Sequence, residues 1–306
     1  MSTRPTTAPL DLASTWGGTS RSIDLDGPVH WVDFGGTDGP PVVLVHGLGG
    51  SYLNWVGIAP ALAEQRRVVA IDLPGFGLTP ALGRDTSVNH NAALLSRFVH
   101  EVLGEPVVLV GNSMGGMISL LLADRRPEQV VGLALIDPAL PNAGARPDPQ
   151  VAATFAMYAV PRVGEFVLTR YTSRFSDRQR VHGTLALCFA DTTRADPTVT
   201  EASVELAAWR RSLPSPEAEF LGAARSLLRM LRGRRDYDRI IREVDRPVLL
   251  VHGTRDRLVP ISAARRAARL NPEWQTAFLD GVGHTPQLEV PQQVLGHLGP
   301  WLDSLA

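Results

Sequence analysis

Six short runs of unbroken apolar residues restrict what this chain can fold into more than any other feature. Residues 42–45 run into His46-Gly47, 68–71 into Asp72, 107–110 into Gly111 and 132–136 into Asp137. Residues 248–251 and 276–279 follow nearer the C-terminus. An alternating apolar–polar run would mean a strand with one wet face, whereas an unbroken run means a strand buried on both. Between the runs, residues 52–64, 87–103, 114–126 and 262–269 carry helical patterns, the third limited by Pro127, which cannot sit in a helix interior. This alternation predicts an α/β fold: a mostly parallel central sheet flanked by helices, with right-handed crossovers. The working edge of such a sheet lies at the carboxyl ends of its strands.

The alternation stops between Pro138 and Asp245. Helical patterns at 150–159, 164–170, 179–190, 199–211 and 217–231 are separated by Pro161, Pro197, Pro214 and Pro216, and no good strand stands among them. A stretch of roughly 100 residues is too long for a structureless loop, so a helical cap over the carboxyl edge is expected. The expected division is a core of residues 21–137 and 246–306, a helical cap of residues 138–245, and a loose N-terminal lead-in of residues 1–20.

Composition removes several classes of function. Thirty basic residues against thirty-one acidic ones leave a net charge of −1, which gives no bulk attraction for nucleic acid or a membrane surface. All thirty basic residues are Arg, so the Lys required by a Walker phosphate loop or a Schiff-base mechanism is missing. Cys188 is the sole cysteine, which excludes an internal disulfide or a thiolate zinc cluster from this chain alone. No signal-like apolar core stands in residues 1–18, and no uncharged apolar stretch approaches the roughly 18 residues of a membrane span. A cytoplasmic protein without stable membrane insertion is the expectation.

The sharpest local pattern is Gly111-Asn112-Ser113-Met114-Gly115-Gly116, set between an apolar run and a helical pattern. A tight strand-to-helix turn of this kind needs small neighbours and pushes the Ser113 hydroxyl out at the sheet edge. The helix that follows aims free N–H groups and its positive dipole end at the same point. A hydroxyl needs a base and an orienting carboxylate to act as a nucleophile. Asp256 lies a few residues beyond the 248–251 run, and His284 lies in the turn Gly281-Val282-Gly283-His284-Thr285-Pro286 after the last run. A second carboxylate, Asp137, ends the run 132–136.

With the order Ser113, Asp256, His284, the chain resembles the α/β-hydrolase superfamily over nearly its whole length from about residue 21, with residues 138–245 as the variable cap. The resemblance implies Ser113 as nucleophile, His284 as general base and then general acid, and Asp256 as the orienting acid. Some members carry that acid where Asp137 stands; Asp256 is preferred because Gly253, Asp256, Val259 and Pro260 fit the G-x-x-D-x-x-V-P pattern. The backbone N–H of Met114 is expected as one oxyanion donor. By resemblance the N–H of Leu48, in the loop His46-Gly47-Leu48-Gly49-Gly50, is the second. His46 and His252 are read as structural. The remaining histidines show no ligand spacing, so no metal is expected.

A serine at the turn sets the chain apart from the dehalogenases and epoxide hydrolases of this fold, which use Asp, and from the dienelactone hydrolases, which use Cys. Ester hydrolysis through an acyl-enzyme, without a cofactor, is the first expectation, on a small-molecule ester-like substrate with an apolar acyl part. The alternatives are a carbon–carbon bond hydrolase acting on vinylogous diketones and a slow-turnover ligand receptor on the same fold. Thr285, where the carbon–carbon hydrolases usually have Trp, and an oxyanion loop without Gly-Pro-Gly count against the first alternative. Phe155, Met157, Tyr158, Phe166 and Phe189 are candidates to line the acyl pocket. Arg170, Arg174, Arg210 and Arg211 are read as solvated faces.

Overall fold

Successive side chains of a strand point to opposite faces, so an unbroken apolar run needs cover on both. The computed structural model, which describes residues 10–141 and 148–305, provides that cover for the first five of the six runs. Eight strands form one sheet: β1 (Thr19–Asp24), β2 (Pro28–Gly35), β3 (Val42–Val45), β4 (Val68–Ile71), β5 (Val107–Asn112), β6 (Val130–Ile136), β7 (Val248–Gly253) and β8 (Gln275–Leu279). Their order is β1-β2-β4-β3-β5-β6-β7-β8. The β1–β2 and β2–β4 pairs are antiparallel, and the pairs from β4 through β8 are parallel. All six apolar runs are strands of this sheet, but β8, at its edge, is covered on one face only and leaves Gln275, Thr276 and Phe278 exposed.

The helices before β6 are α1 (Ala59–Ala63), α2 (Val88–Phe98) and α3 (Met114–Arg125). Between β6 and β7 come α4 (Pro149–Ala159), α5 (Val163–Arg174), α6 (Asp177–Cys188), α7 (Pro197–Arg211), α8 (Pro216–Arg232) and α9 (Arg234–Glu243). After β7 follow α10 (Ile261–Leu270), α11 (Pro286–Glu289) and α12 (Pro291–Asp303). Val107 and Leu109 of β5 enter one core with α2, α3, α9 and α10, while Val108 and Val110 enter the other with α1 and α12. Fully burying one such side chain stabilises by ~1.5–3 kcal/mol, so a strand filled on both faces is the strongest local anchor available.

Other expectations also need correction. The lead-in at 1–20 is structured where it is described: Ala13–Trp16 forms a short 3₁₀ helix and β1 starts at Thr19, while residues 1–9 lie outside the described residues. β1 has a polar sequence because it is an edge strand with little to bury; its pairing with β2 holds it in place. The helix expected at 52–64 is broken into a 3₁₀ turn, Tyr52–Trp55, and α1.

Among the described residues the segment between β6 and β7 holds no strand, and no single helix is long and apolar enough to cross a membrane. Arg210 of α7 fastens this segment to the loop after β4 rather than facing solvent. Its guanidinium donates to the carbonyls of Gly77, at 3.0 Å, and Gly75, and pairs with Glu219 of α8 at 3.3 Å. Thr86 Oγ1 donates to the Glu219 carbonyl at 2.8 Å, a second tie. Of the aromatic and Met candidates, Phe166 is 70% exposed and Met157 38% exposed, so both point outward.

Candidate active site

β5 delivers Ser113 to the carboxyl edge of the sheet in a left-handed conformation, with φ 54° and ψ −117°. That backbone region is costly for a residue with a side chain and persists where the surroundings impose it. Here they do, because α3 starts at the next residue and crosses tightly over β3: a Cβ on Gly115 would lie 2.0 Å from the Val45 carbonyl oxygen. The Ser113 N–H donates to the Ile136 carbonyl at 3.2 Å, and its own carbonyl accepts from Ala139 at 2.9 Å. Both flanks of the turn are thus tied to β6 and the residues after it.

The loop after β3 lies against this turn, since a Cβ on Gly47 would meet Ser113 Cβ at 2.9 Å. The Gly50 N–H donates to the Gly47 carbonyl at 3.1 Å, closing a turn with Leu48 and Gly49 at its corners. Gly49 supplies the positive φ of 75° that the third position of a type II turn requires. His46 is structural, as expected. Its Nε2 accepts from the Leu73 N–H at 3.0 Å, so Nδ1 carries the proton and donates to the Gly47 carbonyl at 2.7 Å. Burial holds this imidazole below its ordinary range, so it stays neutral. The Met114 N–H opens α3, where helix N–H groups have no internal partner.

Asp256 and His284 come together from the loops after β7 and β8. His284 Nδ1 lies 2.7 Å from Asp256 Oδ2, and both residues are buried. Asp256 Oδ1 accepts from the N–H groups of Leu258 and Val259 at 2.7 and 3.0 Å. Against the cost of burial, the charge and hydrogen bond of His284 hold the Asp256 carboxyl below its ordinary range. Ser113 Oγ and His284 share no hydrogen bond in this geometry; Asn112 joins them instead. Its Nδ2 donates to the His284 carbonyl at 3.1 Å and to the Ile136 carbonyl at 3.0 Å. His252 donates from Nε2 to the Val259 carbonyl at 2.9 Å and is bonded to neither Ser113 nor His284. Asp137 accepts from the Gly253 N–H at 3.0 Å and does not reach the His284 ring.

The family model for the alpha/beta hydrolase fold matches residues 40–291. The chain belongs to this family. Among curated relatives, this hydrolase is 30% identical over 270 residues to the dihydrolipoyllysine-residue acetyltransferase component of an acetoin cleaving system from Pseudomonas putida. That match covers 87% of the chain and 64% of the relative, so the chain spans just under two thirds of that protein's length. It is 32% identical to a pimeloyl-[acyl-carrier protein] methyl ester esterase from Aromatoleum aromaticum, over 83% of the chain and 94% of the relative. It is 31% identical to a 2-hydroxy-6-oxo-2,4-heptadienoate hydrolase from Pseudomonas putida, over 82% of the chain and 84% of the relative. The solved structure of Cfl2 from Burkholderia cenocepacia shares the fold with a TM-score of 0.78 at 22% identity, covering 93% of this chain and 95% of that one.

Three supports of the hydrolase site escaped the sequence. Asn112 stood in the motif without a role of its own. The Cys188 carbonyl, at the end of α6, accepts from the His284 N–H at 2.6 Å. Glu289 of α11 is buried and gathers four donors: the N–H groups of Gly283 at 2.8 Å and of Ala190, Asp191 and the Arg194 guanidinium at 3.1 Å each. It braces the residue before His284 and the turn after α6 at once. Glu289→Gln is expected to cost about 3 kcal/mol, because an amide presents one acceptor and turns a donor toward N–H groups. Thermal unfolding should then fall by roughly 5–10 °C, a shift calorimetry reads directly. An unchanged midpoint would show that Glu289 braces nothing.

Proposed function

We propose that this hydrolase cleaves carboxylic esters through a serine-bound acyl-enzyme. The observation that carries the reading is the buried Asp256–His284 pair held at 2.7 Å beside the left-handed turn at Ser113. In this mechanism His284 Nε2 takes the Ser113 proton as Oγ attacks the ester carbonyl. The N–H groups of Leu48 and Met114 hold the oxyanion of the tetrahedral intermediate. The imidazolium then protonates the departing alkoxide and leaves the acyl group on Ser113. Water, deprotonated by the same nitrogen, releases the acid and restores the serine. Asp256 keeps the proton on Nδ1, so that Nε2 is the basic nitrogen, and offsets the charge the ring gains.

We take residues 138–245 as the cap over this edge. Phe220 of α8 packs over Gly49, 3.3 Å from where a Cβ would stand. Tyr158 packs edge-on against Phe220 at 5.7 Å between ring centroids, and Phe155 against Tyr158 at 6.1 Å. This aromatic row supports an apolar acyl group as the preferred substrate part. Short- and medium-chain p-nitrophenyl esters, set beside a vinylogous diketone of the kind aromatic ring cleavage yields, test the reading. Many turnovers on esters, with KM falling as the acyl chain lengthens, are expected. The heptadienoate hydrolase relative makes the diketone the informative competitor. Efficient cleavage of the diketone alone would replace the ester reading by carbon–carbon hydrolysis, and a single turnover on both would replace it by a receptor.

A further inference from the structure

β6 and β7 are parallel neighbours in register, Ile136 opposite Val251, so the acid that ends β6 comes to lie beside the acid that follows β7. Donor and acceptor atoms of Asp137, Asp256 and His284 lie within 4.8 Å of one another, and all three residues are buried. The available donors are shared unequally. Asp256 takes two backbone N–H groups on Oδ1 and His284 Nδ1 on Oδ2. Asp137 takes one, from Gly253, on Oδ1, and its Oδ2 has no partner. His252 does not fill that gap: its Nε2 lies 3.6 Å from both carboxyls and gives its hydrogen to Val259 instead. A pocket with three donors for one acid and one for the other holds a single negative charge, on Asp256. Burial first, then the charge of Asp256, push the Asp137 carboxyl well above the usual carboxylate range.

We propose that Asp137 is a positioning residue, a neutral carboxylic acid whose Oδ2–H donates a hydrogen bond to the Asp256 carboxylate and holds it in line with His284 Nδ1. The inference rests on the ester hydrolase reading, in which the Asp256–His284 pair serves Ser113. The titratable groups around Asp137 leave that role to Asp256. His252 is held below its ordinary range by burial, and the Cys188 thiol of α6 is pushed up to about 12, first by burial and then by the charge of Asp256. Glu289 of α11 is occupied by its four donors, and His284 by Asp256.

Two variants separate a neutral donor from an anion. Asp137→Asn keeps one donor and one acceptor and loses only the ionisable proton. Its kcat on an activated ester should stay within about threefold of native, and the acid limb of its kcat/KM–pH profile should not move. Asp137→Ala removes the donor and should lower kcat about tenfold with KM little changed. Its acid limb should move to higher pH, because Asp256 then keeps more charge for the imidazolium. An acid limb displaced to lower pH in Asp137→Asn would mean that a negative charge had been removed, and overturns the proposal. So does an alanine variant that matches native protein in kcat and pH profile. Infrared difference spectra of native protein against Asp137→Asn, in neutral buffer without substrate, give a readout free of activity. The carbonyl band of a protonated carboxylic acid should be present only in the native protein, and its absence there overturns the proposal even if the alanine variant does not fold. More than a tenth of native kcat retained in Ser113→Ala would instead sink the serine acyl-enzyme reading and leave the infrared result standing.

Discussion

Replacing Ser113 with alanine is expected to lower kcat for ester hydrolysis by about 10⁶-fold while leaving the fold intact. The loss is large because the hydroxyl is the atom that bonds to the acyl carbon, and the neighbouring groups serve only to activate it. Alanine meets the same backbone demand at φ 54° that serine does, so stability should change little. A rate roughly 10³-fold above the uncatalysed one should survive, since the N–H groups of Leu48 and Met114 still polarise a bound carbonyl. Mass spectrometry after incubation with a fluorophosphonate adds a second readout: one adduct on the native chain and none on the variant. Retention of more than a tenth of native kcat would remove Ser113 from the chemistry.

Asp256→Asn is expected to cost about 10⁴-fold in kcat, close to 5 kcal/mol of barrier, with KM nearly unchanged. The carboxylate now accepts from His284 Nδ1 on one oxygen and from two backbone N–H groups on the other. An amide has one acceptor for these two directions. If its oxygen stays with the N–H groups of Leu258 and Val259, its NH₂ faces the ring. That forces the proton from Nδ1 to Nε2, where the lone pair is needed. The effect on pre-steady-state acylation should match the effect on kcat, because the tautomer is wrong before substrate binds. A loss below tenfold would move the orienting role from Asp256 to Asp137.

What the sequence disclosed follows from how much of each element's environment is local. The five strands buried on both faces, β3 to β7, were legible because such strands are written almost entirely in Val, Leu, Ile and Ala. β2 was not, because His30, Trp31 and Asp33 interrupt its apolar residues. Nor was α12, whose Gly296, Gly299 and Pro300 disguise a helix that buries Val294, Leu298, Trp301 and Leu302. The order of Ser113, Asp256 and His284 could be read from residue types alone, since the role proposed for each belongs to its own side chain. The brace around His284 could not: two of its members, the Cys188 carbonyl and the His284 N–H, are backbone atoms that no residue type announces. The pairing of Asp137 with Asp256 depends on the register of β6 against β7, which is a property of the assembled sheet. In the segment between those strands, aromatic residues of neighbouring positions diverge, Phe155 and Tyr158 packing with one another while Phe166 faces outward.

The hydrogen bond from the His284 N–H to the Cys188 carbonyl, with the grip of Glu289 on Ala190 and Asp191, places a joint between the helices we take as the cap and the residue we propose as the base. On the proposed roles, substrate range and catalytic alignment are therefore not independently evolvable in this chain. A chimera that borrows a relative's helices must either stop short of Cys188 and keep the native joint, or bring the turn at 188–191 together with a matching residue at 289. Drift in the helices alone is filtered by the same joint, so new specificities should arise through changes in α4, α5 and α8, at a distance from it.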